Sequence, residues 1–247
     1  MNLLTAIPLI VDFETTGKDP EKDRAVEVAA IFLEMGRAPI QTQTYVALLN
    51  PMIPIDPEAS AIHHIIDEDV ADALTWAEAK VNILSGEFDL LVAHYAEFDM
   101  QFFAMDGGMP EGKPVLCTWR MAKKLIPDLP TYSNMALHYR LGLPGRPENS
   151  HRAHADAKVT ANLYLHLLGI VKATATDPEF VDTDRFISYI NAPMMEKTIK
   201  FGKYFGQPWA EVAKTDRSYL RWVLEKSDIA EKNPDVRFTV ETLLKGA

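Results

Sequence analysis

Apolar residues arrive first in short, dense runs: Pro8 to Glu14 is apolar and ends in acids, and Arg24 to Leu33 and Thr42 to Leu49 are rich in Val, Ile, Thr and Tyr. Runs of that length and composition predict three consecutive strands arranged as a meander. Pro51, Pro54 and Pro57 then break the pattern. Trp76 to Ser85 predicts a helix, and Asp89 to His94 a short buried strand feeding a helix that begins near Phe98. Pro114 to Thr118 predicts another strand, followed by a helix to about Leu125. Asn134 to Leu141 predicts a helix with Ser133 as its cap and Gly142 at its end. Ala153 to Leu168 places Val159, Leu163 and Leu167 at helical spacing and contains no Gly or Pro. Three strands followed by alternating helices and strands predict an α/β sheet with helices packed on it. A polar stretch with Asp177-Pro178 follows Ile170. The expected division is a domain over 1–170, a linker over 171–196 and a compact module over 197–247.

Composition narrows this little. A chain of 247 residues, 47% hydrophobic and 24% charged, holds one sizeable core and a small second module. No apolar run approaches the roughly 18 residues of a membrane helix. Met1 to Val11 lacks a positive leader and leads straight into acids, so it reads as a first strand rather than a secretion signal. The single cysteine, Cys117, excludes an intramolecular disulfide and fits a reducing, cytoplasmic setting. The net charge of −10 argues against a general nucleic-acid-coating protein. That charge is uneven: residues 196–247 carry ten basic and eight acidic side chains, leaving fifteen basic and 27 acidic in the rest. An acidic body still accepts nucleic acid where bound cations neutralise its carboxylates.

The informative chemistry begins at Val11-Asp12-Phe13-Glu14-Thr15-Thr16-Gly17. On a strand Asp12 and Glu14 project to one side, with Phe13 on the other. Two such carboxylates repel unless a cation lies between them, and Mg²⁺ suits an all-oxygen set; a solvated acidic strand end is the plain alternative. Asp99, in His94-Tyr95-Ala96-Glu97-Phe98-Asp99, opens a helix, where an acid also suits the helix dipole. Phe98 and Phe102, four apart, read as core. In Ser150-His151-Arg152-Ala153-His154-Ala155-Asp156, His151 and Asp156 would stand about 140° apart if both were helical. They converge only if His151 lies in the loop before the helix. His154, about 200° from Asp156, faces elsewhere and reads as a surface or packing histidine. His63-His64 lacks companions at zinc-ligand spacing.

Together, Asp12-Phe13-Glu14, His94 to Asp99 and His151 to Asp156 resemble the three motifs of the DEDD exonucleases, in that family's order. The histidine five residues before the last aspartate is similar to the subfamily with a catalytic His. Ala61-Ile62-His63 resembles the family segment lying against the terminal nucleotide. Cys117-Thr118, Tyr132 to Leu137, Phe201-Gly202-Lys203-Tyr204 and Tyr219-Leu220-Arg221-Trp222 resemble the exodeoxyribonuclease-X-like branch. The resemblance implies an α/β, ribonuclease-H-like mixed sheet flanked by helices, with a small C-terminal α+β module. It implies 3′→5′ hydrolysis of DNA to 5′-mononucleotides with two Mg²⁺, for which Mn²⁺ would substitute. Asp12, Glu14, Asp99 and Asp156 would hold the metals. His151 would be the general base, since imidazole exchanges protons near neutral pH. Thr15, Thr16, Gly17, Ile62, His63, Tyr95 and Phe98 would meet the substrate, and a homodimer is a further expectation.

Two departures shape the substrate. Tyr95 stands where the family usually has Asn. The loop after Gly17, Lys18 to Asp23, is highly charged where an apolar residue able to wedge a duplex end is expected. Single-stranded ends are therefore the expected substrate before duplex ends. In the C-terminal module Lys200, Lys203, Arg217 and Arg221 interleave with Tyr204, Trp209, Tyr219 and Trp222. That mixture suits single-strand binding, dimerisation or simple packing. An exoribonuclease, a polymerase-associated proofreading exonuclease and a non-catalytic nucleic-acid-binding module are the competing readings.

Overall fold

The computed structural model describes residues 1–35, 40–145, 151–174 and 178–246. Ser150 and Asp177, named in the sequence reading, lie outside them. The elements are β1 (Pro8–Thr15), β2 (Ala25–Glu34), β3 (Ile40–Leu48), α1 (Pro57–His63), α2 (Asp67–Val70), α3 (Trp76–Leu84), β4 (Leu90–Ala93), α4 (Ala96–Phe103), β5 (Val115–Cys117), α5 (Thr118–Leu125), α6 (Asn134–Leu141), α7 (Ala153–Thr174) and α8 (Thr183–Asn191). The strands form one mixed sheet in the order β3-β2-β1-β4-β5. The expected meander supplies the antiparallel half, and β4 and β5 add to β1 in parallel.

The central strands are buried on both faces, as their near-continuous apolar sequences require. On one face Ile10, Ile31 and Val92 pack against Ala157, Leu163, Tyr164 and Leu167 of α7. On the other, Leu9, Val11 and Phe13 pack with Trp76 and Ile83 of α3 and with Phe102 and Phe103 of α4. Edge-on aromatic contacts join Phe13 to Trp76 at 5.1 Å and to Phe103 at 6.4 Å. This packing, with β1 paired on both sides, fixes what its carboxyl end presents.

Strand β3 ends at Leu48, ahead of Pro51, Pro54 and Pro57, as expected, and Pro57 also starts a helix: the Asp56 side chain accepts from the Glu58 N–H, and Pro57 takes the first turn, where no N–H is needed. Helix α4 begins at Ala96, near Phe98 as expected, where Tyr95 adopts a left-handed conformation and turns the chain straight into the helix. The expected linker is largely structured. Helix α7 runs on to Thr174, and α8 buries Phe186 and Ile190, four residues apart, in the same core as α7. The chain start secures this segment, with Leu3 N–H donating to Val181 O at 2.7 Å and Thr183 N–H to Met1 O at 2.9 Å.

The compact units are accordingly 1–190 and 191–247. In the second, α9 (Trp209–Thr215), α10 (Arg217–Glu225), α11 (Ile229–Lys232) and α12 (Pro234–Lys245) enclose Trp209, Leu220, Val223 and Val240. Where an α+β module was expected, the described residues are helical, with one isolated bridge between Thr198 and Pro208. Trp209 and Tyr219 are core residues there, while Trp222 is exposed. Among the described residues no helix is long and apolar enough to cross a membrane.

Candidate active site

Asp12 and Glu14 continue the even-numbered face of β1 beyond Ile10, toward α7. The first turn of α7 carries Asp156. One carboxylate oxygen each from Asp12, Glu14 and Asp156 lies within 4.8 Å of the others. Asp99 joins from the opposite face through the backbone: buried at the start of α4, it accepts the Phe13 N–H at 3.2 Å, between Asp12 and Glu14.

The beginning of α7 is built to hold His151 beside Asp156. His151 lies two residues before the helix, exposed, with a left-handed φ of 65°. Its N–H donates to Asp156 Oδ2 at 2.9 Å. Glu27 anchors the same turn from β2, where it is the register partner of Glu14. It is only 2% exposed. Its carboxylate accepts from Arg152 Nη2 at 2.6 Å, from Arg152 Nε at 3.1 and 3.2 Å, and from the Ala153 N–H at 2.8 Å. The Asn134 amide donates to the Asp156 carbonyl at 3.1 Å and to the Thr160 hydroxyl at 2.9 Å, fixing the helix from its other side. No motif points to Glu27, and the resemblance over Tyr132 to Leu137 gives Asn134 no role of its own. The one signal in the sequence is an acid between Val26 and Val28 in an otherwise apolar strand, which demands a buried partner.

The carboxylates oppose one another's ionisation. Burial pushes Asp12 well above the usual carboxylate range, and Asp99, Asp156, Glu14 and Glu27 add repulsion. Burial, then Asp156 and Glu27, raise Glu14 to about 8, with Arg152 offsetting part of it. Burial also raises Asp99 and Asp156, against the N–H bonds from Phe13 and His151 respectively. Such a cluster is short of positive charge. An all-oxygen donor set with three acids in mutual reach fits a hard divalent cation, which would relieve the repulsion.

The residues expected to meet substrate divide. Thr15 and Thr16 are buried and shape the turn that follows β1: Thr15 Oγ1 donates to Gly17 O at 2.6 Å and Thr16 Oγ1 to Asp23 Oδ1 at 2.9 Å. A Cβ on Gly17 would stand 2.4 Å from the Asp23 carboxylate, so a side chain there would have to displace Asp23 from the turn it closes. The charged loop is therefore a closed turn, with Asp23 Oδ2 also accepting the Asp19 N–H at 2.7 Å. His63, expected to meet substrate, is held against the backbone of the same turn. It is 2% exposed, its Nδ1 accepts the Ile65 N–H at 3.0 Å, and its Nε2 therefore carries the proton toward Thr15 O at 3.3 Å. Ile62 beside it is exposed, as is His64. Phe98 leans on Phe102 at 5.0 Å at the core margin, while Tyr95 is exposed. His154 is half-buried on α7.

Comparison with known proteins agrees with this geometry. The exonuclease family model matches residues 9–164, and the exodeoxyribonuclease X-like C-terminal model matches residues 199–228. Exodeoxyribonuclease 10 of Escherichia coli strain K12 is 30% identical over 239 residues, 96% of this chain and 98% of the relative. DNA polymerase III subunit epsilon of Aquifex aeolicus is 29% identical over 172 residues, 68% of this chain and 83% of the relative. A solved structure of exonuclease X in complex with 5′ overhanging duplex DNA superposes with a TM-score of 0.55 at 31% identity, covering 70% of this chain and 96% of that one.

Proposed function

From the premise that this chain belongs to the exonuclease family, with an exodeoxyribonuclease X-like C-terminal segment, we propose that it removes 5′-mononucleotides from the 3′ end of DNA. The observation that carries this reading is the meeting of Asp12, Glu14 and Asp156 at the point where His151 is tied to Asp156. Asp12, Glu14 and Asp156 would hold divalent cations, with Asp99 acting from the other side. Two Mg²⁺ are proposed, with Mn²⁺ able to replace them. Bound there, such cations supply Lewis-acid stabilisation of the phosphate charge and of the departing 3′ oxygen.

The chain's own residues do the rest. An imidazole nitrogen of His151, held in an exposed left-handed turn, takes the proton of the attacking water. Glu27 and Arg152 keep that turn in place, so the base does not drift from the carboxylates. The turn after β1, closed by Thr15, Thr16 and Asp23, receives the terminal nucleotide with its backbone. His63, donating to the Thr15 carbonyl, holds that backbone from beneath.

DNA is favoured over RNA because the match to exodeoxyribonuclease 10 spans nearly both chains. A proofreading role is the second reading, supported by the polymerase III epsilon relative, though that match covers only 68% of this chain. The compact charged turn, with no apolar wedge, makes single-stranded 3′ ends the preferred substrate. A homodimer and a cytoplasmic setting belong to the same proposal. A time course with 5′-labelled DNA and RNA oligonucleotides, with Mg²⁺ and with EDTA, tests the core of it. A metal-dependent ladder shortening from the 3′ end on DNA is expected. Faster loss of RNA would make it an exoribonuclease, and no cleavage of either polymer by folded protein would refute the proposal.

A further inference from the structure

Beyond the carboxylates, Tyr95, already expected to meet substrate, is joined at the same end of the sheet by Trp119, to which nothing above gives a role. Strands β1, β4 and β5 run parallel, so their carboxyl ends lie side by side. The end of β1 bears the acids; His94 and Tyr95 follow β4; Thr118 and Trp119 follow β5. With strands about 4.8 Å apart, the end of β5 lies roughly 10 Å from that of β1. That span suits a nucleotide whose phosphate lies at the acids and whose neighbouring base reaches the β5 end.

The Tyr95 and Trp119 rings meet there in a tilted contact, with centroids 4.7 Å apart and planes at 44°. The Lys123 ammonium lies 4.4 Å from the Trp119 ring centroid. Tyr95 nevertheless remains 54% exposed. It occupies a position for which tyrosine is a poor choice. It sits at φ 61°, a left-handed conformation that Asn or Gly adopts more readily, and it caps α4 without a side-chain cap bond. The conformation is imposed from below. His94 Nε2 donates to the Tyr132 carbonyl at 2.8 Å, so its Nδ1 accepts from the Thr118 hydroxyl at 2.9 Å, pinning the residues before both rings. A large ring held in an unfavourable backbone state, half in solvent, at the sheet edge where α/β folds bind ligands, points to a role outside folding.

The geometry points to Tyr95 and Trp119, with the charge of Lys123 behind them, as a stacking platform for one base of the substrate strand near its 3′ end. This rests on the DNA-exonuclease reading above and adds to it where the strand is gripped. A π-face accepts any base, so the platform strengthens binding without selecting sequence, and the nearby cation adds attraction for the strand.

The test compares kcat and KM on single-stranded DNA for the unaltered protein, Trp119→Ala, Trp119→Phe and Tyr95→Asn. Each is also assayed on oligonucleotides carrying one abasic residue at successive positions from the 3′ end. Trp119→Ala is expected to raise KM about tenfold with kcat changed far less, and Trp119→Phe to restore most of the loss. In the unaltered protein one abasic position should raise KM by a similar factor, and that increment should vanish in Trp119→Ala. An unaltered protein indifferent to abasic position overturns the platform without recourse to any variant. So does an abasic penalty that persists undiminished in well-folded Trp119→Ala. In either case DNA degradation itself would leave the functional reading standing, whereas an unaltered protein that degrades no DNA removes that reading and the platform with it.

Discussion

Glu14 and Glu27 sit opposite each other in the β1–β2 register, yet their surroundings differ completely. Glu27 receives a guanidinium through two nitrogens and a helix N–H, and is neutralised within the fold. Glu14 faces Asp156 and Asp12, and among the described residues no hydrogen bond or salt bridge reaches its carboxylate. One strand apart, the same side chain is a structural tie in one pocket and an unmet charge in the other. Folding resolves buried charge wherever it can, so a cluster left unresolved marks the place reserved for an external cation.

The strongest way to break this comparison is Asp12→Asn. Exonuclease rate should fall on the order of 10³-fold while the metal-free protein gains Tm at pH 8, because a repelled carboxylate has been removed. A lower Tm would make Asp12 a structural residue like Glu27. Glu27→Gln should do the reverse for stability. It should cost about 2 kcal/mol in denaturant unfolding, through lost bonds to a charged partner, and slow the reaction roughly 10- to 100-fold by loosening His151.

The pH dependence sharpens the contrast further. Glu14 has a folded value of about 8 against an ordinary 4.5, so its contribution is fully present below about pH 4.5 and is lost as pH rises through 8. The Mg²⁺-induced rise in Tm should therefore be larger at pH 8 than at pH 6. Burial lowers His94 to about 4 from 6.5, so its contribution is present above 6.5 and is lost as pH falls toward 4. Melting of metal-free protein across pH 4 to 8 should show both losses. At the small end, Lys22→Ala breaks an exposed ion pair with Asp19 at 2.7 Å and should leave Tm unchanged within error.

Much of this was legible beforehand, for physical reasons. The period-two run of β1 predicts that Asp12 and Glu14 share a face, and the wheel geometry at 151–156 requires His151 outside the helix, where it lies. Pro57 marks the end of the strand pattern, but that it also starts a helix depends on the Asp56 cap before it. Helix α8 hides in a polar stretch since it buries only one narrow face. His63 reads as a contact residue by motif, but its burial depends on how residues 55–70 pack over the turn after β1. Glu27 pairs with Arg152 across 125 residues, a separation over which no local pattern speaks.

Direct binding of Mn²⁺, counted by electron paramagnetic resonance on the full chain, bears most immediately on the claim that the unmet carboxylates form a metal centre. The account predicts saturable binding in the unaltered protein, retained in Glu27→Gln and abolished or weakened more than tenfold in Asp12→Asn. Equal binding by the unaltered protein and Asp12→Asn, both folded, would contradict it.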